Sequence, residues 1–150
     1  ARSSILKPLG TGEAFMSSLL AKIQIHPGKE AEFEDVMAYM YERTHSTEEG
    51  VLRYEYWRGR EPGFYYCLLS FRDAATFWRH QASDHHEGQM QRFTECIAAL
   101  DLEIIDPVQQ ASPLPPTLDA SVPQDAPPAE QEQARRFPIA TADWWRALRN

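Results

Sequence analysis

The sequence predicts an α+β domain of the ferredoxin-like type, in which a β-α-β-β-α-β chain forms a four-stranded antiparallel sheet with both helices on one face. The first observation is that the hydrophobic pattern switches between a strand period and a helix period in that order, from about Leu19 to Gln109. The second is that turn signals such as Pro27-Gly28 separate the periodic segments. A length of 150 residues suits one domain.

The first half of the pattern predicts a strand, a helix and a hairpin. "LLAKIQIH" alternates as a strand, and "KEAEFEDVMAYMYERTHST" follows with apolar residues at helical spacing. "VLRYEYWRGR" and "FYYCLLSF" are rich in β-forming residues and flank the short connection "EPG". The predicted core stripe of the helix is Phe33, Val36, Met37, Met40 and Tyr41.

The second half predicts a broken helix and a closing strand. "DAATFWRH" begins a helix at Asp73, which is interrupted near Ser83-Asp84. The helix then resumes through "EGQMQRFTECIAAL", and "DLEIIDPVQ" forms the last strand.

Both faces of the predicted sheet are apolar. On "FYYCLLSF", Phe64, Tyr66 and Leu68 point one way, whereas Tyr65, Cys67, Leu69 and Phe71 point the other way. Helices cover one face, so the other face needs a second cover. We expect a homodimer in which two sheets close a two-fold α+β barrel. In the alternative, the C-terminal extension covers that face within one chain.

The composition limits the classes of partner that we expect for this protein. The net charge of −7 and the pI of about 5.2 argue against nucleic acid as a partner. No apolar run is long enough to cross a membrane, so we expect no membrane partner and a cytoplasmic location. Cys67 and Cys96 lie in apolar runs, which predicts two reduced core thiols.

The chain divides into four parts by composition. We assign residues 1–17 to an N-terminal extension and 18–109 to the α+β domain. Residues 110–134, rich in proline, are predicted to form an extended tether, and 135–150 a terminal aromatic helix containing Trp144 and Trp145. This extension could be a strap onto a partner subunit, a lid over a pocket, or a hook for another protein.

Three histidines, His80, His85 and His86, lie within "FWRHQASDHHEGQM". Their spacings do not place them on one face of a regular helix, and no carboxylate stands at helical spacing behind them, so we predict no metal site. Neutral imidazole can instead remove a proton from a phenol, hydroquinone or β-dicarbonyl. We therefore assign His80 and His85 as catalytic. The candidate substrate-binding residues are Tyr54, Tyr56, Trp57, Tyr66, Arg72, Trp78 and His86.

Residues 18 to 109 resemble the antibiotic biosynthesis monooxygenase domain, which belongs to the dimeric α+β barrel superfamily. The resemblance is carried by "AKIQIHPGKEAEFEDVM", "EEGVLRYEYWRG", "FYYCLLSFRDAATFWRHQASDHH" and "LEIIDPVQ". His80 and His85 match two histidine positions of the family's helix, and His86 stands where an aromatic residue is usual. Leu69 and Phe71 replace an acid and a Trp that are frequent in the third strand.

The resemblance implies a monooxygenase that needs no cofactor and acts with O2 on a small aromatic, quinol or enolisable metabolite. The haem-degrading branch is disfavoured, because its Asn, Trp and His positions read Ala21, His80 and Met90 here. Two alternatives stay open at this stage. One is a non-redox isomerase, cyclase or lyase in the same pocket. The other is a non-catalytic ligand-binding or scaffold protein that uses its Trp-Trp helix.

Overall fold

The computed structural model describes residues 15–149 and has the predicted ferredoxin-like α+β fold. Most of the predicted N-terminal extension, residues 1–14, lies outside the described residues. The sheet is antiparallel throughout, with the strand order β2-β3-β1-β4. The elements are β1 (Ser17–Ile25), α1 (Glu30–Thr47), β2 (Val51–Arg58), β3 (Phe64–Phe71), α2 (Ala74–Gln81), α3 (Asp84–Cys96), β4 (Ile97–Ile105), α4 (Pro128–Arg136) and α5 (Asp143–Leu148).

The core lies between one face of the sheet and the helices. Alternate residues of β1 and β3 point into it, because side chains alternate across a strand. Four of the five residues of the predicted α1 stripe are buried, whereas Tyr41 is half exposed. The buried strand residues are Leu19, Ala21, Ile23 and Ile25 of β1, and Tyr65, Cys67, Leu69 and Phe71 of β3.

Part of the opposite face of the sheet, near the β2–β3 hairpin, is exposed in the single chain. Trp57 is 58% exposed, Phe64 38% and Tyr66 41%. Trp57 pairs with Tyr66 across β2 and β3, so both side chains lie on this face. The C-terminal extension therefore leaves these three residues in water, contrary to the alternative in which it covers them.

Local side-chain hydrogen bonds set the break between α2 and α3. Asp73 caps the start of α2 by accepting from the Thr76 backbone N–H at 2.7 Å. Ser83 caps α3 by accepting from the His86 backbone N–H at 3.3 Å. The sequence predicts that the helix continues to Leu100, but it ends at Cys96. The following residues instead pair with β1, whose backbone groups need partners along that edge.

The C-terminal extension packs against the domain. Met16 and Thr117 form a parallel bridge, and Ala120 and Ile139 form an antiparallel one. α4 lies on α2, within a segment whose prolines predict an extended tether. Pro128 suits the first helical turn, where its missing N–H loses no hydrogen bond. None of the helices between residues 15 and 149 has both the length and the apolar character needed to cross a membrane.

Candidate functional site

Glu48, His80 and His85 converge at one point beneath the sheet. Glu48 caps the C-terminus of α1, His80 lies in the last turn of α2, and His85 lies in the first turn of α3. No carboxylate stands at helical spacing behind the histidines, as the sequence indicates, but they do have a carboxylate partner. The carboxylate comes from another helix, 32 residues before His80.

One carboxylate oxygen accepts a hydrogen bond from each of the two imidazoles. Oε2 of Glu48 lies 2.8 Å from Nδ1 of His80 and 2.7 Å from Nε2 of His85. An ionised carboxylate only accepts, so His80 carries a proton on Nδ1 and His85 on Nε2. Burial alone would raise the pKa of Glu48, but the hydrogen bonds and charges of His80 and then His85 outweigh it and lower that pKa.

The helix break brings the two histidines together. Residues five apart diverge on a regular helix, but α3 starts anew after Ser83 and turns His85 back toward Glu48. Two hydroxyls approach the same imidazole. Oγ of Ser83 lies 3.2 Å and Oγ1 of Thr44 lies 3.4 Å from Nε2 of His85. Its position is thus set by α1 and by the cap of α3 together.

The three donor atoms of Glu48, His80 and His85 also have the chemistry of a transition-metal site, since all lie within 4.8 Å of one another. A tetrahedral ion with bonds of about 2.0–2.1 Å would hold its donors roughly 3.3 Å apart. The distances of 2.7 and 2.8 Å are instead those of charge-assisted hydrogen bonds. The arrangement in this structure is therefore a hydrogen-bonded carboxylate with two imidazoles.

His80 lies on the wall of a cavity between the sheet and the helices. Its Nδ1 is engaged by Glu48, which leaves Nε2 as the nitrogen free to accept a proton. The ring packs between Tyr54 and Phe71, with centroids 4.9 and 5.3 Å away. The cavity has a volume of about 100 Å³, and its lining includes Tyr54, Tyr56, Cys67, Leu69, His80, His86, Met90, Phe93, Leu102, Arg136 and Phe137.

The tyrosines supply neutral hydroxyls to this cavity. The hydroxyl oxygens of Tyr54 and Tyr56 lie 3.0 Å apart, and burial raises the pKa of each phenol. Burial also raises the pKa of the Cys67 thiol to about 12, so this side chain is no thiolate nucleophile at neutral pH. The wall therefore offers hydrogen bonds and apolar contact.

His86 is mostly buried rather than turned to solvent. Burial, and then the neighbouring imidazoles of His80 and His85, lower the pKa of His86 to about 3. It is therefore neutral at pH 7. Its Nδ1 has no hydrogen-bond partner among the described residues, and Oε1 of Glu87, 3.5 Å away, is too distant to serve as one.

Four predicted binding residues lie elsewhere. Trp57 and Tyr66 point to the opposite face of the sheet, because their strand positions alternate with those of Tyr56 and Cys67. Arg72 is exposed beside Asp73, with Nε 3.8 Å from that carboxylate. Trp78 is buried and donates from Nε1 to the Phe137 carbonyl at 2.9 Å, so it holds the extension.

Sequence reasoning missed Glu48, Arg136 and Phe137. The position of Glu48 in the sequence does give a signal. A carboxylate at a helix C-terminus interacts unfavourably with the helix dipole, so nearby hydrogen-bond donors are expected to stabilise it. Arg136 and Phe137 carry no comparable signal. They lie in a polar segment that reaches the cavity only through the packing of α4 on α2.

A family model described as antibiotic biosynthesis monooxygenase matches residues 16–92, just over half of the chain. The chain belongs to this family. The description of the family is that of a monooxygenase. The extension, from residue 110 onward, lies outside the matched region. None of the curated proteins matches the sequence.

Solved structures share the fold over the domain. A candidate antibiotic biosynthesis monooxygenase from Caulobacter crescentus is 25% identical, with a TM-score of 0.60, covering 65% of this chain and 93% of that one. Another, from Bacteroides thetaiotaomicron, is 22% identical, with a TM-score of 0.62 and coverage of 73% and 100%. A conserved protein from Methanosarcina mazei is 24% identical, with a TM-score of 0.58 and coverage of 62% and 93%.

Proposed function

We propose that the protein is a monooxygenase of the cofactor-independent type, in which His80 removes a proton from a small aromatic, quinol or enolisable substrate. The observation that carries the proposal is the hydrogen bond from Nδ1 of His80 to the Glu48 carboxylate, with the same imidazole on the cavity wall. The carboxylate fixes the tautomer and stabilises the imidazolium that forms on proton transfer. His85 shares this carboxylate and holds it in place.

The substrate supplies the electrons for the reaction. A deprotonated electron-rich carbon next to a carbonyl or phenol gives one electron to O2, and the resulting radical and superoxide combine to a peroxide. Protonation of that peroxide and loss of water leave a ketone, so R2CH2 and O2 become R2C=O and H2O. The apolar wall excludes bulk water from these intermediates, while Tyr54 and Tyr56 hydrogen-bond the substrate oxygen.

The size of the cavity limits the substrate. Ligand pockets usually measure about 300–1,000 Å³, and an apolar cavity of about 150 Å³ holds one benzene molecule. The cavity beside His80 measures about 100 Å³. It is smaller than the cavity that holds benzene, so without rearrangement it admits only part of a ring, and the rest of a monocyclic or larger substrate lies at the rim.

We further propose that two copies pair through the opposite, partly exposed face of the sheet. Its apolar half lies on β2 and β3, where Trp57, Phe64 and Tyr66 are exposed. Side chains of this size are seldom left together in water, and an identical face on a second copy provides a matching surface. Pairing would also give Trp57 and Tyr66 a role at the interface in place of the predicted role in substrate binding.

The experiment is oxygen consumption with a panel of monocyclic hydroquinones and β-dicarbonyls, measured with an oxygen electrode. We expect uptake that the His80→Gln variant lowers by about 10²- to 10⁴-fold, the usual contribution of a general base. His26→Gln is the matched control, because His26 is exposed at the turn after β1. Product formed at the same rate under nitrogen would support an isomerase or lyase instead. Unchanged uptake in His80→Gln would refute the assignment of the base.

A further inference from the structure

Arg136, at the end of α4, lacks the ion pair that the neighbouring arginines of the extension have. Among the described residues, no carboxylate pairs with its guanidinium. The other three arginines of the extension all have carboxylate partners, and these pairs are Arg135–Glu132, Arg146–Asp119 and Arg149–Asp106. Arg136 lies on the rim of the cavity that holds His80.

The extension fixes Arg136 at this rim through its neighbour. The Phe137 carbonyl accepts from Nε1 of Trp78 at 2.9 Å, and the Phe137 N–H donates to the Gln133 carbonyl at 2.8 Å. The Phe137 ring packs on Phe77 with centroids 6.3 Å apart. The Arg136 guanidinium lies 5.3 Å from the centroid of the Phe137 ring. Phe137 is therefore placed by contacts to α2, the helix that also carries His80, and the Arg136 guanidinium lies over Phe137.

The charges around the cavity make this guanidinium distinctive. Among the described residues that line the cavity, Arg136 is the one with a permanent charge. His86 is held neutral because burial lowers its pKa to about 3. The chain as a whole carries a net charge of −7, so an anion is repelled from most of the surface. An exposed guanidinium beside an apolar cavity thus provides a local anion site.

We propose that Arg136, with Phe137 beneath it, forms an anion-binding subsite, and that the substrate carries a carboxylate next to its reacting ring. Part of the ring enters the cavity toward His80, and the carboxylate stays at the rim against the guanidinium. The placement of the ring rests on the proposed function. The subsite comes from the extension, so it is a specificity element outside the region that matches the family model.

Binding of a matched ligand pair tests the subsite without turnover. Hydroquinone and 2,5-dihydroxybenzoate differ by one carboxylate, and their affinities are measured by anaerobic isothermal titration calorimetry. We expect the acid to bind at least about tenfold more tightly, the typical gain from hydrogen bonds to a charged group. Arg136→Gln removes this preference, Arg136→Lys keeps part of it, and Arg135→Gln, in the adjacent exposed pair, keeps it all. Added salt should weaken the binding of the acid and leave the binding of hydroquinone unchanged.

Two outcomes overturn the subsite. One is an acid that binds no more tightly than hydroquinone, or no binding of either ligand at millimolar concentration. The other is an Arg136→Gln variant that retains the preference or loses both ligands equally. Failure of the proposed function gives a different result. In that case no oxygen uptake is observed, but the affinity difference between the two ligands persists.

Discussion

Replacing Glu48 by Gln should destabilise the protein in a pH-dependent way. The amide oxygen of Gln still accepts a hydrogen bond, but it lacks the charge that Oε2 presents to His80 at 2.8 Å and His85 at 2.7 Å. Each charge-assisted bond contributes about 1.5–3 kcal/mol, against about 1 kcal/mol for a neutral one. Since the Glu48 side chain is 14% exposed, we expect a loss of about 1–3 kcal/mol for the pair at pH 7.

The sign of the pH dependence follows from the lowered pKa of Glu48. In the unfolded chain this carboxyl has an ordinary value of 4.5, and in the folded chain the two histidines hold its pKa below that. Its contribution to stability is therefore complete above pH 4.5 and disappears as the pH falls through the folded value. The gap between wild type and Glu48→Gln should accordingly be full at pH 7 and shrink below pH 4.5.

The assay is urea unfolding followed by circular dichroism, at pH 7 and at pH values on either side of 4.5. Glu49→Gln is the control, because Glu49 is exposed next to Glu48 and should change stability by less than about 0.5 kcal/mol. The reasoning is refuted if Glu48→Gln behaves like Glu49→Gln at pH 7, or if its deficit is as large at pH 4 as at pH 7.

Three further perturbations test other parts of the structure. His86→Phe should flatten the loss of stability between pH 6.5 and 4, because a histidine with a pKa lowered to about 3 contributes about 1.4 kcal/mol per pH unit in that window; an unchanged slope in urea unfolding would contradict this. Trp78→Phe removes the donor to the Phe137 carbonyl, so amide hydrogen exchange in α4 should accelerate while β1 stays protected; equal acceleration in both would mean global destabilisation. Tyr66→Lys should convert the proposed dimer to monomer in light scattering, whereas the exposed Tyr39→Lys should not, and a dimeric Tyr66→Lys variant would exclude this face as the interface.

The elements with a strong period could be predicted from the sequence. The stripe of Phe33, Val36 and Met40 specifies the buried face of α1, and Ser83 supplies the hydroxyl that caps α3. Both features can therefore be predicted from the sequence. The start of β4 could not be predicted in this way, because "IAAL" suits a helix as well as a strand, and only pairing with β1 decides between them. α4 was missed because "PAEQEQARR" has no apolar stripe.

The candidate site was only partly predictable, for a related reason. His80 and His85 could be chosen from local chemistry, but their shared partner Glu48 lies 32 and 37 residues away and meets them only in the folded domain. Trp57 and Tyr66 were placed in the pocket because aromatic residues suit a substrate wall equally well as an interface. Which face they occupy depends on strand register, which composition does not specify.

The long-range attachment of the extension has a consequence for the order of folding. The bond between Trp78 and the Phe137 carbonyl joins residues 59 apart, and the Ser18 N–H reaches Thr117 across 99 residues. Contacts of this span form slowly, because a large loop must close first. During synthesis the sheet and the Glu48–His80–His85 cluster can assemble before residues 128–139 emerge. A nascent chain would thus pass through a stage in which Glu48, His80 and His85 are in place while the cavity still lacks the part of its wall that Arg136 and Phe137 form.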